Sequence, residues 1–311
     1  MSAHAYQLKS TIPEANARDL SERGYTIRQF LSAAEILTPS RLHAETTPYV
    51  PADYYPSAFG RDPALKRRIF DGIMEIVQPK VNELAPGYRI LNASFVTKRA
   101  RSVNGRLCLH QDLSLVDHAS HLGLNVWCPL CDVDIHNGCL RVAPGSHVFG
   151  HISANPPNPG PYQGVRDEIE RRYMIDVPMA GGCAFLFDTR LLHATEENDT
   201  NSDRTSVVLN LVPDGVPARF YQWNKRQPDR LEVYEIDIDF VVRFTPNQYV
   251  ENAVMLGAKF IGSMDYSYKA LTSADLPSLL PLSGSRPHKG RLQQAMGKAT
   301  RFLFQRPAKY R

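Results

Sequence analysis

The stretch Leu109-His-Gln-Asp-Leu-Ser114 lies among short runs of β-type sequence and carries the pair of residues from which the fold can be inferred. In an extended segment, residues i and i+2 point to the same side, so His110 and Asp112 can bind one metal ion. A third ligand has to come from another strand, and His193 follows the apolar run Ala184-Phe-Leu-Phe187. Two neutral imidazoles and one carboxylate leave three coordination positions open, which suits non-haem Fe(II) and oxygen chemistry. We therefore predict that these three residues bind iron and are catalytic.

Two polar residues near His193 extend this predicted site. Arg204 begins a strongly β-patterned run, and an arginine on a strand can hold a remote carboxylate through a bidentate, charge-assisted contact. Thr195, two residues after His193, is expected to point the same way and to supply a hydroxyl donor. The alternative for Arg204 is an ion pair with a surface carboxylate, Asp199 or Asp203.

Short β-type runs dominate the chain after Tyr88 and predict a mainly β fold. Asn-Gly dipeptides at 104–105 and 137–138 are typical of hairpin turns. Many short strands preceded by helices favour a double-stranded β-helix, the cupin-like jelly roll, with helices flanking one side. The predicted strands are Arg89–Lys98, Leu107–Leu109, Leu122–Val133, Cys139–Val142, Cys183–Phe187 and Arg204–Val212.

Helical signals come before these strands. Residues 32–35 have the form of a capping box that opens a short helix, which Pro39 interrupts or restarts. Asp62-Pro63 offers an N-cap followed by proline at the first helical position. Apolar residues then recur at helical spacing over 65–76. This second helix is expected to end near Pro79 and to pack against the outside of the sheet.

Composition limits the class of protein. The chain has 311 residues, of which 43% are hydrophobic and 22% are charged, as in a soluble globular domain. No apolar run is long enough to cross a bilayer, and the first residues lack the layout of a secretory signal. The five cysteines show no regular spacing, which is expected of a reduced compartment. A cytoplasmic protein is the expectation, and no transmembrane segment is predicted.

The charge of the chain is distributed unevenly. No acidic residue follows Asp275, whereas eight basic residues do, and the net charge of the whole chain is only +4. The basic tail, residues 286–311, can contact an acidic partner or pack on this protein itself. Nucleic acid is not an expected partner, because no recognisable binding motif accompanies the basic residues. A monomer and a homo-oligomer both stay open.

Several ordered motifs resemble the phytanoyl-CoA dioxygenase family. They cover roughly residues 24–213, and they include the stretch 109–114 with which the predicted iron site begins. The others are Val126-Trp-Cys-Pro-Leu-Cys-Asp132, Asn137-Gly-Cys-Leu-Arg-Val-Ala-Pro-Gly-Ser-His147, Gly181-Gly-Cys-Ala-Phe-Leu-Phe-Asp188, His193-Ala-Thr195, Asn198 and Arg204.

The resemblance implies cofactors as well as a fold. It implies Fe(II) on the three predicted ligands and 2-oxoglutarate as co-substrate, with O₂ as oxidant and ascorbate as the reductant in vitro. It also implies that four residues contact the 2-oxoglutarate: Arg204, Thr195, Trp127 and Asn92.

The implied activity is that of an Fe(II)/2-oxoglutarate-dependent dioxygenase. Hydroxylation of an unactivated C–H bond, with release of succinate and CO₂, is the expected outcome. Chlorination is disfavoured because related halogenases lack the carboxylate that Asp112 supplies, whereas desaturation, cyclisation and epoxidation stay open. The expected substrate is a small metabolite, either amino-acid-like or an intermediate of secondary metabolism. Candidate substrate contacts are His118, Tyr221, Trp223 and Arg226.

Two other functions stay open. The chain could be an acyl-CoA hydroxylase of the same family, because the basic segment 98–106 suits an anionic CoA ester. It could instead be a non-catalytic protein that binds or senses 2-oxoglutarate. In each case we expect one domain over residues 1–311, with a helical N-terminal region over residues 1–87, a jelly-roll core at about 88–215 and a variable extension 216–311.

Overall fold

A computed structural model describes residues 12–245 and 253–280, so the basic tail 286–311 lies outside the described residues. The helices are α1 (Glu14–Arg23), α2 (Leu37–Thr46), α3 (Pro63–Leu84), α4 (Arg166–Arg172), α5 (Ile238–Arg243) and α6 (Leu276–Leu279). The strands are β1 (Tyr25–Gln29), β2 (Tyr54–Pro56), β3 (Tyr88–Lys98), β4 (Leu107–His110), β5 (Leu124–Pro129), β6 (Leu140–Val142), β7 (Ile175–Val177), β8 (Cys183–Asp188), β9 (His193–Thr195), β10 (Arg204–Pro213), β11 (Ala218–Asn224), β12 (Gln227–Ile236) and β13 (Lys259–Asp265).

Two antiparallel sheets form the jelly roll that the strand pattern predicts. The larger sheet has the order β1-β8-β5-β10-β3-β2, and the smaller has the order β4-β9-β6-β7. Apolar side chains from both sheets meet between them, with Trp127 and Phe185 of the larger sheet in one cluster with Leu140 and Val142 of the smaller. Because successive residues of a strand alternate between faces, each sheet keeps a second face for other contacts. The mainly β fold is confirmed.

Helix α3 covers the outer face of the larger sheet. Asp62 caps it by accepting hydrogen bonds from the backbone N–H groups of Ala64 and Leu65, at 2.9 and 3.2 Å. The apolar stripe of the helix, including Ile73 and Val77, is buried against β3, β5, β8 and β10. Burying each such side chain contributes about 1.5–3 kcal/mol. This helix and its position outside the sheet are therefore as predicted.

The predicted end of α3 near Pro79 is wrong, whereas a helix restarts around Pro39 as predicted. Helix α3 continues past Pro79 to its end at Leu84, because Val81 and Leu84 extend the buried stripe while Pro79 faces solvent. The capping box at 32–35 forms with its two reciprocal hydrogen bonds. Helix α2 nevertheless begins only at Leu37, and Pro39 lies in its first turn, where a missing N–H costs no intrahelical bond.

The region before residue 88 is less purely helical than expected. Strands β1 and β2 lie in it and form the two edges of the larger sheet. The strand predicted over Leu122–Val133 is shorter in the structure, where β5 covers Leu124–Pro129. Val133 pairs instead with Met179 in an isolated bridge, so the chain leaves the larger sheet between these points.

The described portion of the C-terminal extension forms a third antiparallel sheet, in the order β11-β12-β13. Phe220 and Tyr234 of this sheet share an apolar cluster with Leu91 and Val212 of the larger sheet. Helix α5 contributes Phe240 to the same cluster. The extension is therefore packed on the jelly roll by apolar contacts.

Removing the side chain of Ile73 tests the packing of α3 on the sheet. We expect Ile73→Ala to lower the free energy of unfolding by about 2–5 kcal/mol, because Ile73 is fully buried and a cavity would remain. Urea denaturation measures this change. Glu75→Ala, at an exposed position of the same helix, is the control and should stay within about 0.5 kcal/mol. Equal effects of the two variants would show that α3 does not cover the sheet as described.

Candidate metal centre

The three predicted ligands lie together at one end of the smaller sheet. His110 ends β4, His193 begins β9, and the two residues are register partners across the antiparallel pair. Their ring centroids are 4.2 Å apart. Asp112 completes the group, with Oδ1 at 3.7 Å from His110 Nε2 and Oδ2 at 3.7 Å from His193 Nε2. The three ligand atoms lie within 4.8 Å of one another, as a shared ion requires.

Both imidazoles are oriented for binding a metal through the same ring nitrogen. His110 Nδ1 is 2.8 Å from the carbonyl oxygen of Cys108, and His193 Nδ1 is 2.9 Å from that of Leu191. A carbonyl oxygen can only accept, so each Nδ1 carries the proton and each Nε2 keeps its lone pair. Burial lowers the pKa of His110 to about 4, and the charge of the neighbouring His193 is the second cause. This imidazole is therefore neutral at neutral pH.

Backbone anchors hold the ligand-bearing segment in place. Gln111 lies between the ligands His110 and Asp112 in the sequence. It donates its side-chain N–H to the backbone carbonyl of Arg190, three residues before His193. Arg166 of α4 donates to the carbonyl oxygen of Leu109 over 2.8 Å. These contacts connect the first pair of ligands to the third and to the helix behind them.

Arg204 is a buried cation whose hydrogen bonds are all to neutral groups. It is 1% exposed, and its guanidinium donates to Ser206 Oγ at 2.8 Å and to the Gly138 carbonyl oxygen at 3.0 Å. Trp127 lies beside it, with 5.2 Å from the guanidinium carbon to the ring centroid. Among the described residues no carboxylate forms an ion pair with it, so the predicted alternative partners Asp199 and Asp203 are not its partners.

The turn at Gly138 explains how Arg204 can be held by backbone. Gly138 has a backbone φ of +75°, a conformation that residues other than glycine rarely adopt. A Cβ at this position would lie 2.7 Å from the backbone oxygen of Glu196. Only glycine therefore lets the turn approach closely enough for its carbonyl to accept from the guanidinium.

Further polar groups beside Arg204 fit a carboxylate ligand. Lys98, its register partner on β3, is fully buried and donates its ammonium to the carbonyl oxygens of Gly105 and Glu196. Burial, and next the charge of Arg204, lowers the pKa of Lys98 well below its ordinary value. Thr195 Oγ1 is buried without a hydrogen-bond partner. A buried guanidinium and an unpaired hydroxyl suit an anionic ligand with a carboxylate, such as 2-oxoglutarate.

The other predicted site residues lie in different surroundings. Asn92 donates its amide to Asn210 over 2.9 Å, so its contact with 2-oxoglutarate stays a prediction. His118 is buried next to a serine hydroxyl. Tyr221 and Trp223 lie on β11, and each donates to a backbone carbonyl. Arg226 is exposed in the turn that follows β11. Substrate contacts by these last four residues also stay predictions.

Two residues next to the site were missed from the sequence. Asn125 of β5 donates its amide to Asp112 Oδ2 over 2.6 Å, and Lys98 lies beside Arg204. The sequence did contain a signal for Asn125, because asparagine is uncommon in strands and this one interrupts an otherwise apolar run. Lys98 gave no comparable signal, since it ends its strand among other basic residues.

A jelly roll that brings two imidazoles and one carboxylate together has the ligand set of the non-haem Fe(II) oxygenases. Residues 57–206 match the family model described as phytanoyl-CoA dioxygenase (PhyH). The matched range contains the three candidate metal ligands, Thr195 and Arg204. Over these residues the chain matches the phytanoyl-CoA dioxygenase family.

Curated relatives agree with this assignment over part of their length. A phytanoyl-CoA dioxygenase of Arabidopsis thaliana is 28% identical over 148 residues, which are 45% of this chain and 51% of the relative. A phytanoyl-CoA dioxygenase domain-containing protein 1 homolog of Caenorhabditis elegans is 21% identical over 162 residues, or 49% of this chain and 55% of the relative. The chain spans about half the length of the curated relatives it matches.

Solved structures share the fold. The non-heme alpha ketoglutarate dependent carbocyclase SnoK from nogalamycin biosynthesis has a TM-score of 0.50 at 19% identity, over 67% of this chain and 86% of that one. The epimerase SnoN, in complex with Fe3+, alpha ketoglutarate and nogalamycin RO, has a TM-score of 0.51 at 18% identity, over 66% of this chain and 85% of that one. At these identities the likeness shows the fold alone.

Two further features of the described residues concern membrane-spanning helices and cysteines. No helix among them combines the length and apolar character needed to span a membrane. All five cysteines are free thiols, and Cys128 is buried while Cys131 is exposed. The cytoplasmic location stays a prediction.

Replacing Asp112 tests the metal centre directly. We expect Asp112→Ala to reduce bound Fe(II) from one equivalent per chain to less than about a tenth, since the carboxylate is the only anionic ligand in the group. Anaerobic equilibrium dialysis measures the bound iron. Asp117→Ala, a nearby carboxylate outside the group, is the control and should keep one equivalent. Full iron binding by Asp112→Ala would contradict the assignment.

Proposed function

We propose that this protein is an Fe(II)/2-oxoglutarate-dependent oxygenase that hydroxylates an unactivated C–H bond of a small metabolite. The observation that carries the proposal is the pairing of a three-ligand metal group with a buried guanidinium that has no carboxylate partner among the described residues. A buried cation is costly unless an anion compensates it. A dicarboxylic co-substrate bound between the metal and Arg204 supplies that anion.

Each residue of the site has a distinct task in this proposal. His110, Asp112 and His193 would hold Fe(II) on one side and leave three positions for ligands. Arg204 would bind the remote carboxylate of 2-oxoglutarate in a bidentate contact, and Thr195 would donate its unpaired hydroxyl to the same molecule. Trp127, packed on the guanidinium, would exclude water from this contact.

When bound, iron with 2-oxoglutarate and O₂ supplies the oxidising power for C–H cleavage, with succinate and CO₂ as co-products. The chain contributes position and a water-poor setting. The hydrogen bonds from both Nδ1 atoms to backbone carbonyls keep the Nε2 atoms directed at the metal. With iron bound, Asp112 would supply the carboxylate ligand that related halogenases lack, which supports hydroxylation over chlorination.

A small-metabolite substrate is favoured over an acyl-CoA ester. Within the basic segment 98–106, Lys98 is buried on carbonyl groups, and Arg106 is paired with Glu170 and Glu196 at 2.6 and 3.2 Å. These two residues are therefore not free to bind CoA phosphates, whereas Arg99 and Arg101 of the same segment are exposed. The fold neighbours named as a carbocyclase and an epimerase of nogalamycin biosynthesis agree with secondary metabolism. Acyl-CoA hydroxylation remains the second candidate, favoured by the name of the Arabidopsis relative.

The co-substrate assignment is tested by Arg204→Ala. We expect the KM for 2-oxoglutarate to rise roughly 10- to 100-fold, because a charged hydrogen-bonding partner worth about 1.5–3 kcal/mol is removed. Succinate formation at varied 2-oxoglutarate concentration gives this value. Arg99→Ala, at an exposed position of the adjoining loop, is the control and should leave the KM unchanged. An unchanged KM in Arg204→Ala would exclude Arg204 from the co-substrate site.

Turnover without a known substrate separates an enzyme from a sensor. Oxygenases of this kind convert some 2-oxoglutarate in the absence of substrate, so we expect slow succinate formation by the Fe(II)-loaded chain with ascorbate. Asp112→Ala is the blank, and its rate should equal that of free Fe(II). Tight binding of 2-oxoglutarate together with no succinate above this blank would favour the non-catalytic sensor.

A further inference from the structure

Three asparagines lie side by side on neighbouring strands and end at the metal site. Asn92 on β3 and Asn125 on β5 are both register partners of Asn210 on β10. Asn92 Nδ2 donates to Asn210 Oδ1 at 2.9 Å, and Asn210 Nδ2 donates to Asn125 Oδ1 at 2.7 Å. Asn125 Nδ2 then donates to Asp112 Oδ2 at 2.6 Å. We call these three residues the asparagine relay.

The charge of Asp112 determines the orientation of every amide in the relay. An ionised carboxylate can only accept, so Asn125 must turn its NH₂ group towards Asp112. The amide oxygen of Asn125 then faces Asn210, which must present its own NH₂ group, and the same logic reaches Asn92. Reversing one amide would bring like groups into contact. The carboxylate therefore fixes side chains across three strands.

Burial makes the first member of the relay hard to replace by water. Asn125 is 0% exposed, whereas Asn92 and Asn210 are half-buried. A hydrogen bond to an ionised group is roughly twice as strong as a neutral one, and aligned amides polarise one another. With Asn125 held on both sides, the Asp112 carboxylate has one preferred position.

Strand cohesion alone does not account for this choice of residues. Asparagine is disfavoured in strands, and an apolar row of the same shape would stabilise the sheet equally well. In the neighbouring row of the same sheet, Trp127 and Val208 are apolar register partners, and the member on β3 is Ser94. The polar row is the one that ends on a metal-binding carboxylate.

We propose that the asparagine relay is a positioning device that holds Asp112 in the conformation needed to bind the metal. Asn125 acts on Asp112 directly, Asn210 acts through Asn125, and Asn92 acts through Asn210. The inference rests on the metal site of the proposed function, but it adds residues from three strands that act on a metal ligand and not on the metal itself.

The test is the affinity of the full chain for Mn(II), measured from the electron paramagnetic resonance signal of the unbound ion. We expect Asn125→Leu to weaken Mn(II) binding about 10-fold or more, as loss of a partner of a metal ligand typically does. Asn210→Leu should weaken binding by a smaller factor, and Asn92→Leu by the smallest. Asn16→Leu, which removes a buried amide that donates to the Leu84 carbonyl in the helical region, is the control and should leave the affinity unchanged.

A coupling experiment separates positioning from general stability. If Asn210 acts through Asn125, the double variant Asn125→Leu/Asn210→Leu should bind Mn(II) as Asn125→Leu alone does. Additive losses, or affinities within twofold of the wild type in both single variants, would overturn the proposal. If Asn125→Leu does not fold, the Mn(II) affinity of Asn210→Leu alone tests the proposal. Asn210 is only half-buried, so its replacement disturbs the core less. Absence of Mn(II) binding in the wild-type chain would instead contradict the proposed function.

Discussion

The register between β4 and β9 places His110 opposite His193, and the rest of the site depends on this pairing. A shift of one residue would turn one imidazole to the other face of the sheet and separate the two nitrogen ligands. The hydrogen bonds from Nδ1 to the backbone then set the ring orientation, so that both Nε2 atoms face Asp112. Asp112 in turn is held from the larger sheet by Asn125, so the candidate metal centre joins the two layers of the jelly roll.

The second constraint is electrostatic. Lys98 and Arg204 are register partners and fully buried, and both make hydrogen bonds only to neutral groups within the described residues. Burying positive charge without a carboxylate partner costs free energy, and a bound anion compensates this cost. Under the proposed function, a dicarboxylate bound beside the metal would compensate the buried charge of Arg204. The turn at Gly138 supports it, since its carbonyl holds the guanidinium.

Much of this arrangement can be predicted from the sequence, and physical reasons explain what cannot. The metal ligands follow from the two-residue period of an extended chain and from one distant histidine. Six strands after Tyr88, namely β3, β4, β5, β6, β8 and β10, follow from their β-branched and apolar runs. The other strands of this region, β7, β9, β11, β12 and β13, were not predicted. Strands β1 and β2 were missed because short edge strands have little pattern of their own. The asparagine relay could not be found in this way, because hydrogen bonds between strands depend on register, which a single sequence does not specify.

The most direct test of the central claim is anomalous diffraction at the iron edge from crystals loaded anaerobically with Fe(II) and 2-oxoglutarate. We predict one strong peak bounded by Nε2 of His110, Nε2 of His193 and a carboxylate oxygen of Asp112, with 2-oxoglutarate extending from it to the guanidinium of Arg204. An iron peak at any other place, or an iron-loaded chain with no peak between these three side chains, would contradict the account.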